Sequence, residues 1–354
     1  MNPLRLDTAI LSADGKELII LDQTLLPGKV KYLSLSRIDD IWEAIYSLRV
    51  RGAPAIGVAA AYGVYLTSAQ LETQDMAAFC AHFRTQKDRL SSARPTAVNL
   101  SWALNRMEQV LEENKALLTV PQMKERLKAE AHAIREEDVA ISRGIGQYGF
   151  QLLRPGDGIL THCNAGTLAT AKYGTALAPV YIALEQGWSD LRVYCDETRP
   201  LLQGARLSAF EMHSAGVDTT LLCDNMASYA MARGLIDIIF VGCDRVSANG
   251  DFANKIGTSA VAILAKHYGI PFYVCAPSST IDPSIPDGAH IPIEERPGSE
   301  VTEMWYEKRM APEGIKVLNP AFDVTDHRLI TGFITEKGVV TAPFFEGFQA
   351  LGLC

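Results

Sequence analysis

The chain has 354 residues, 48% hydrophobic and 21% charged, with a formal net charge of −8. That length exceeds one typical core and suggests two domains, and an acidic balance without a block of like charge argues against a nucleic-acid or membrane-surface role. Seven cysteines with no Cys-x-x-Cys pair suit a reducing cytoplasmic setting, and seven scattered histidines offer no metal-ligand spacing, so no metal site is expected.

Residues 4–35 alternate apolar and polar character around Asp14-Gly15 and Pro27-Gly28, which predicts a small antiparallel meander. Ser36 followed by Asp39 reads as the cap of a helix carrying Ile38, Ile41, Trp42, Ile45 and Leu48. The opening MNPLRLDTAI lacks a basic stretch before an apolar one, so no secretory leader is expected. From Gly52 to Leu71 no residue is charged, a length that could span a bilayer. Its Ala, Gly, Ser, Thr and Gln content, with Pro54 at the start, favours a tightly packed buried helix instead. Further helical patterns cover 75–92 and 98–117. A long charged helix runs from Pro121 to about Leu153. The expected division is a mostly helical domain with a short sheet over 1–120, a connecting helix over 121–153, and an α/β domain over 154–354. The stretch 277–318, rich in Pro, Gly and charge, reads as loops.

Five apolar segments in the second half each end at a cysteine: Cys163, Cys195, Cys223, Cys243 and Cys275. Asn164, Asp196, Asp224 and Asp244 follow four of them, and helix-like stretches follow all but the last. That repeat predicts a parallel sheet, whose carboxyl-end lip is where ligands gather.

Several residues near turns suit a phosphate-sized anion. Arg51-Gly52-Ala53-Pro54 opens a helix, and its amides favour an anion beside the arginine; a buried turn with a surface arginine is the plain alternative. Pro95 forces an extended backbone that aims Arg94. The loop Asn249 to Thr258 delivers Asn254 and Lys255 to a helix start, which is good phosphate chemistry without P-loop spacing. No Gly-x-Gly-x-x-Gly follows a strand, so no dinucleotide cofactor is expected. Cys163, next to His162, and Asp244 place a thiol and a carboxyl on one lip. On local grounds catalysis competes with a buried Cys163 and an Asp244 that caps the next helix, as Asn164 and Thr167 could cap theirs. In Asp196-Glu197-Thr198-Arg199, Arg199 reads as folding back on an acid, and Gln203 can both donate to and accept from a sugar hydroxyl.

RGAPAIG at 51–57, ARPTAVNL at 93–100, THCNAGTLAT at 161–170, DETRPLLQGARL at 196–207 and GCDRVSANGDFANKIGT at 242–258 together resemble the methylthioribose-1-phosphate isomerases. That superfamily also holds ribose-1,5-bisphosphate isomerases and translation initiation factor regulatory subunits. The resemblance implies an aldose–ketose isomerase of methionine salvage with a Rossmann-like C-terminal domain. It implies a homodimer without metal or nucleotide cofactor, acting on a small sugar phosphate, and the charge balance already argues against nucleic acid and membrane as partners. Catalysis would fall to Cys163 and Asp244, and substrate contacts to Arg51, Gly52, Ala53, Arg94, Gln203, Asn254 and Lys255.

Overall fold

The computed structural model describes residues 3–95 and 97–353. They form two compact units, one of 4–140 with 167–174, the other of 141–166 and 175 onward with Pro3.

In the first unit β1 (Ala9–Leu11), β2 (Leu18–Leu21) and β3 (Tyr32–Leu35) pair antiparallel in chain order, the meander that the alternation predicts. Leu18, Ile20 and Leu21 are buried on its core side. Helix α1 (Ile38–Tyr46) starts later than the Ser36 cap implies. Arg37 takes the cap position without a side-chain bond, and the Ser36 carbonyl instead accepts from Gln70 Nε2 at 2.8 Å. Asp39 and Asp40 still occupy the first turn, where the helix dipole favours acids.

Helix α2 (Ala53–Ala69) is the centre of this unit, buried from Ala55 through Ser68 against α3 (Met76–Ser91) and α4 (Val98–Asn114). Its small residues are what the packing needs. A Cβ on Gly57 would press the Asn99 carbonyl at 3.0 Å, and one on Gly63 would press Ile41 at 3.0 Å. No helix among the described residues is long and apolar enough to cross a membrane.

Helix α5 (Val120–Phe150) is a single 31-residue helix, whose first part belongs to this unit and whose last ten residues belong to the second. Asp138 on α5 accepts the Ala171 amide at 2.6 Å. Burial among protein atoms pushes its carboxyl up to about 7, against the pull of that amide and of Arg135, although the residue keeps some solvent exposure. A carboxyl raised on folding contributes stability at low pH that is lost as pH climbs through the folded value. Asp138→Asn keeps an acceptor for Ala171 and removes the titration. The thermal midpoint of the parent should therefore fall more steeply than that of the variant between about pH 4 and 7. Parallel slopes in a fluorimetric melt series would contradict this.

The second unit opens with β4 (Gly158–Thr161) and α6 (Ala178–Glu185), then β5 (Arg192–Asp196), α7 (Ala209–Ser214), β6 (Asp218–Leu222), α8 (Ala227–Ala232) and β7 (Ile238–Val241). A hairpin of β8 (Arg245–Ser247) and β9 (Phe252–Lys255) leads to α9 (Thr258–Tyr268) and β10 (Phe272–Cys275). After β11 (Ile281–Asp282) and α10 (Ser299–Thr302) come β12 (Phe322–Thr325), β13 (Gly332–Thr335), β14 (Gly338–Val340) and α11 (Phe344–Ala350). The described residues make a seven-stranded sheet in the order β14-β13-β10-β7-β4-β5-β6, parallel except for β14. The five cysteine-ended segments supply β4, β5, β6, β7 and β10, so the α/β expectation holds. Strands β8, β9, β11 and β12 add a four-stranded sheet, of which β9 and β11 fall where the sequence suggested loops.

The chain order has a functional consequence. From β4 the chain proceeds to β5 and β6 on one side, then returns to place β7 and β10 on the other. The switch point lies between the carboxyl ends of β4 and β7, where such sheets bind ligands.

Candidate active site

Cys163 follows β4 with φ 66°, a left-handed backbone that a non-glycine residue adopts at a cost. Its neighbours hold it there. The Thr198 hydroxyl accepts the Cys163 amide at 2.7 Å and donates to the Asp196 carbonyl at 3.1 Å. The Ser208 hydroxyl donates to the Cys163 carbonyl at 2.7 Å. Asn164 does not cap a helix. Its Nδ2 donates to Glu211 Oε1 at 2.8 Å inside a buried network that the Tyr181 hydroxyl completes, and α6 begins only at Ala178.

Asp244 lies just beyond β7, half-buried, with its amide donating to the Ala253 carbonyl at 2.9 Å. The next element is strand β8, so the helix-cap alternative for Asp244 falls away. Strands β4 and β7 are direct neighbours, and their following loops touch: a Cβ on Gly242 would lie 2.9 Å from the Ala165 Cβ.

The turn after β5 is built around Asp224, whose two carboxylate oxygens accept the amides of Thr198 and Arg199, each at 2.7 Å. Thr198 and Leu202 both take positive φ, 62° and 56°. Arg199 does not fold back on Asp196 or Glu197. Its guanidinium donates to the Val301 carbonyl at 2.7 Å and stacks over Tyr306, since Asp196 is already engaged by His162. Gln203 is buried, and its Oε1 has no hydrogen-bond partner among the described residues. A buried acceptor left in this way suits a ligand hydroxyl.

Asn254 and Lys255 sit on β9 and not in a loop. Asn254 Nδ2 donates to the Thr258 hydroxyl at 3.0 Å, and Lys255 Nζ donates to the Ala321 carbonyl at 2.9 Å while lying 4.1 Å from the Phe322 ring centroid. The expected anion seat at the start of α9 is already taken. Asp323 accepts the amides of Gly257 at 2.8 Å and Ser259 at 3.2 Å, and burial raises its carboxyl despite those bonds. Lys255 and Asn254 are therefore the phosphate-capable groups of that segment, and the helix start is not.

In the first unit Gly52 (φ 93°) is the N-cap of α2, Ala53 its first residue, and Pro54 lies in the first turn. A Cβ on Gly52 would overlap the backbone of Ala169. Arg94 precedes α4, and its carbonyl accepts the Ala97 amide at 3.0 Å.

Cys195, Cys243 and Cys275 behave as packing residues, as expected of the other strand-end cysteines, but Cys223 does not. Burial raises the thiols of Cys195 and Cys275, and that of Cys243 is pushed up to about 12, whereas Cys223 is exposed. Two groups could in principle gather a metal, His162–Asp196–Asp224 and Asp251–Asp326–His327. In both, the histidine Nδ1 already faces a carboxylate, at 3.1 Å from Asp196 and 2.7 Å from Asp251, and both Asp224 oxygens hold amides. Neither donor set fits a metal without breaking these bonds.

A family model described as the Initiation factor 2 subunit family matches residues 49–342. A methylthioribose-1-phosphate isomerase of Symbiobacterium thermophilum is 60% identical over 99% of this chain and 97% of its own length. The chain belongs to that family, in the methylthioribose-1-phosphate isomerase branch. A 5-deoxyribose 1-phosphate isomerase of Bacillus thuringiensis is 54% identical over 94% of this chain and 95% of its own. Among solved structures, 5-methylthioribose 1-phosphate isomerase from Pyrococcus horikoshii superposes with a TM-score of 0.92 at 43% identity, covering 98% of this chain and 96% of that one.

The candidate site residues of this branch member rest on supports that sequence reasoning missed. Thr198, Ser208, Glu211 and Asp224 hold the turns on which Cys163 and Gln203 sit. The run DETR at 196–199 and the acid after Cys223 hinted at Thr198 and Asp224, and nothing local pointed to Ser208 or Glu211.

Proposed function

We propose that the protein is an aldose–ketose isomerase that converts 5-methylthioribose 1-phosphate to 5-methylthioribulose 1-phosphate in methionine salvage, with Cys163 and Asp244 as its catalytic pair. The observation that carries the assignment of the pair is the sheet order: both residues leave adjacent strands at the topological switch point. The strained backbone of Cys163 adds support, because such strain persists where surrounding structure enforces it.

A sugar whose anomeric oxygen carries phosphate cannot open spontaneously to an aldehyde. Asp244 in its neutral form protonates the ring oxygen as the C1–O4 bond breaks, a role that requires a carboxyl pKa raised toward neutrality. Cys163 as thiolate removes the C2 proton, which leaves an enol phosphate between C1 and C2. The thiol then returns a proton to C1 while the Asp244 carboxylate takes the proton of the C2 hydroxyl, giving the ketone and restoring both groups. We assign Lys255, Asn254, Arg51, Arg94 and the amides of Gly52 and Ala53 to the phosphate, and Gln203 to a sugar hydroxyl. Holding the phosphate positions C1 and C2 for both proton transfers. We carry forward the homodimer with this reading; light scattering that found a monomer at assay concentration would remove it.

The proposed cations all serve the 1-phosphate, leaving none assigned to a charge at C5. The protein should accordingly turn over 5-methylthioribose 1-phosphate at a kcat/KM at least about 100-fold above ribose 1,5-bisphosphate, an effect of roughly 3 kcal/mol. 5-Deoxyribose 1-phosphate, which lacks only the methylthio group, should fall within about 100-fold of the first sugar, because apolar contacts of this size discriminate weakly. Preference for the bisphosphate would overturn the substrate assignment.

A further inference from the structure

His162 stands directly before Cys163, and its side chain is 1% exposed. Its Nε2 lies 2.8 Å from the Ile256 carbonyl, which can only accept, so Nε2 carries a proton. Its Nδ1 lies 3.1 Å from Oδ2 of the fully buried Asp196. The Cε1–Nε2 edge of the ring rests against Gly257, where an added Cβ would sit 2.7 Å from Cε1 and 2.9 Å from Nε2. One side chain thus joins three segments of the second unit. These are the end of β4 carrying Cys163, the end of β5 leading to Gln203, and the turn that follows Asn254 and Lys255.

We propose that His162 is a positioning residue for the isomerisation, an imidazolium paired with Asp196 that donates from both ring nitrogens and holds these three segments in one register. For its activity readout the inference rests on the function proposed above; its structural content does not. A neutral imidazole has a single N–H and cannot donate to both neighbours. Burial alone would drag the ring toward the neutral form, but the hydrogen bond and charge of Asp196, with the Ile256 carbonyl, more than reverse this, so the His162 pKa is raised. The charged groups acting on the ring are carboxylates from separate elements: Asp196 of β5, Asp224 after β6 and Asp323 of β12. Burial lifts Asp196 as well, and we take the proton between the two to reside on the ring, the form that the three carboxylates favour. For a histidine raised on folding, the stabilising contribution is complete below its unfolded pKa and is lost as pH rises through the folded one. The clamp therefore holds at neutral pH and loosens on the alkaline side.

The test combines a spectrum with two variants. A long-range proton–nitrogen NMR spectrum of the intact wild-type protein should show the His162 ring protonated at both nitrogens at about pH 7. Assignment comes from the signal missing in His162→Gln. That variant should lose about 10- to 100-fold in kcat/KM, the range typical of a lost supporting hydrogen bond at a site. Asp196→Asn removes the counter-charge and should move the alkaline limb of the kcat/KM profile to lower pH by about one unit. A ring with one protonated nitrogen in the wild type, or an alkaline limb unmoved in Asp196→Asn, would overturn the proposal. The wild-type spectrum decides the charge of the ring even if a variant fails to fold. An inactive wild type with a doubly protonated ring would refute the function but not the clamp.

Discussion

Cys163→Ala and Asp244→Asn should each lower turnover of 5-methylthioribose 1-phosphate by at least about 100-fold, the scale of a lost general acid or base. Both variants should keep the fold, since neither side chain is part of the buried clusters that make the core. The two losses should not add when combined, because the pair completes one reaction and removal of either group stops it. Cys163→Ala also separates the thiol from the backbone that carries it. The φ of 66° suits alanine no better than cysteine, and the Thr198 and Ser208 bonds go to the backbone and survive the substitution. Any loss of rate therefore belongs to the thiol. Turnover within threefold of the parent in both variants would rule out Cys163 and Asp244 as the catalytic pair.

Gly204→Ala should be the most disruptive single change near the site. A Cβ there would overlap the Asp196 carbonyl oxygen and crowd the Thr198 hydroxyl at 2.9 Å. Backbone on one side and a buried, doubly bonded hydroxyl on the other leave no flexible atom to move. We expect a loss of roughly 3 kcal/mol or more in urea unfolding, in the range of severe core overpacking. If the variant remains folded, turnover should fall with it, because Gln203 is the preceding residue and Cys163 hangs from Thr198. An unchanged midpoint would mean that the turn after β5 yields more easily than this packing implies.

The parallel sheet was legible because five of its strands come from short apolar runs stopped by a cysteine, as at Ile238 to Cys243. Small residues in α2 likewise announced close helix packing. What escaped notice depends on residues far apart in the chain. Strands β8, β9, β11 and β12 are two to four residues long and carry too little periodicity to be told from loops. The seat at the start of α9 looked open because its occupant, Asp323, comes from a strand more than sixty residues later. Arg199 looked destined for its neighbouring acids, yet His162 had already claimed Asp196 from 34 residues upstream. Local sequence shows which charges are near one another along the chain, and tertiary structure decides which of them meet.

In the proposed reaction this protein opens a furanose locked by its anomeric phosphate and moves the carbonyl to C2. Carbon NMR of 5-methylthioribose 1-phosphate labelled at C2, incubated with purified, folded protein and no additive, follows that change at the reacting atom. The labelled carbon should move from an alcohol to a ketone position, at a rate proportional to protein. A C2 signal that stays that of the intact ribose ring would contradict the proposed isomerisation.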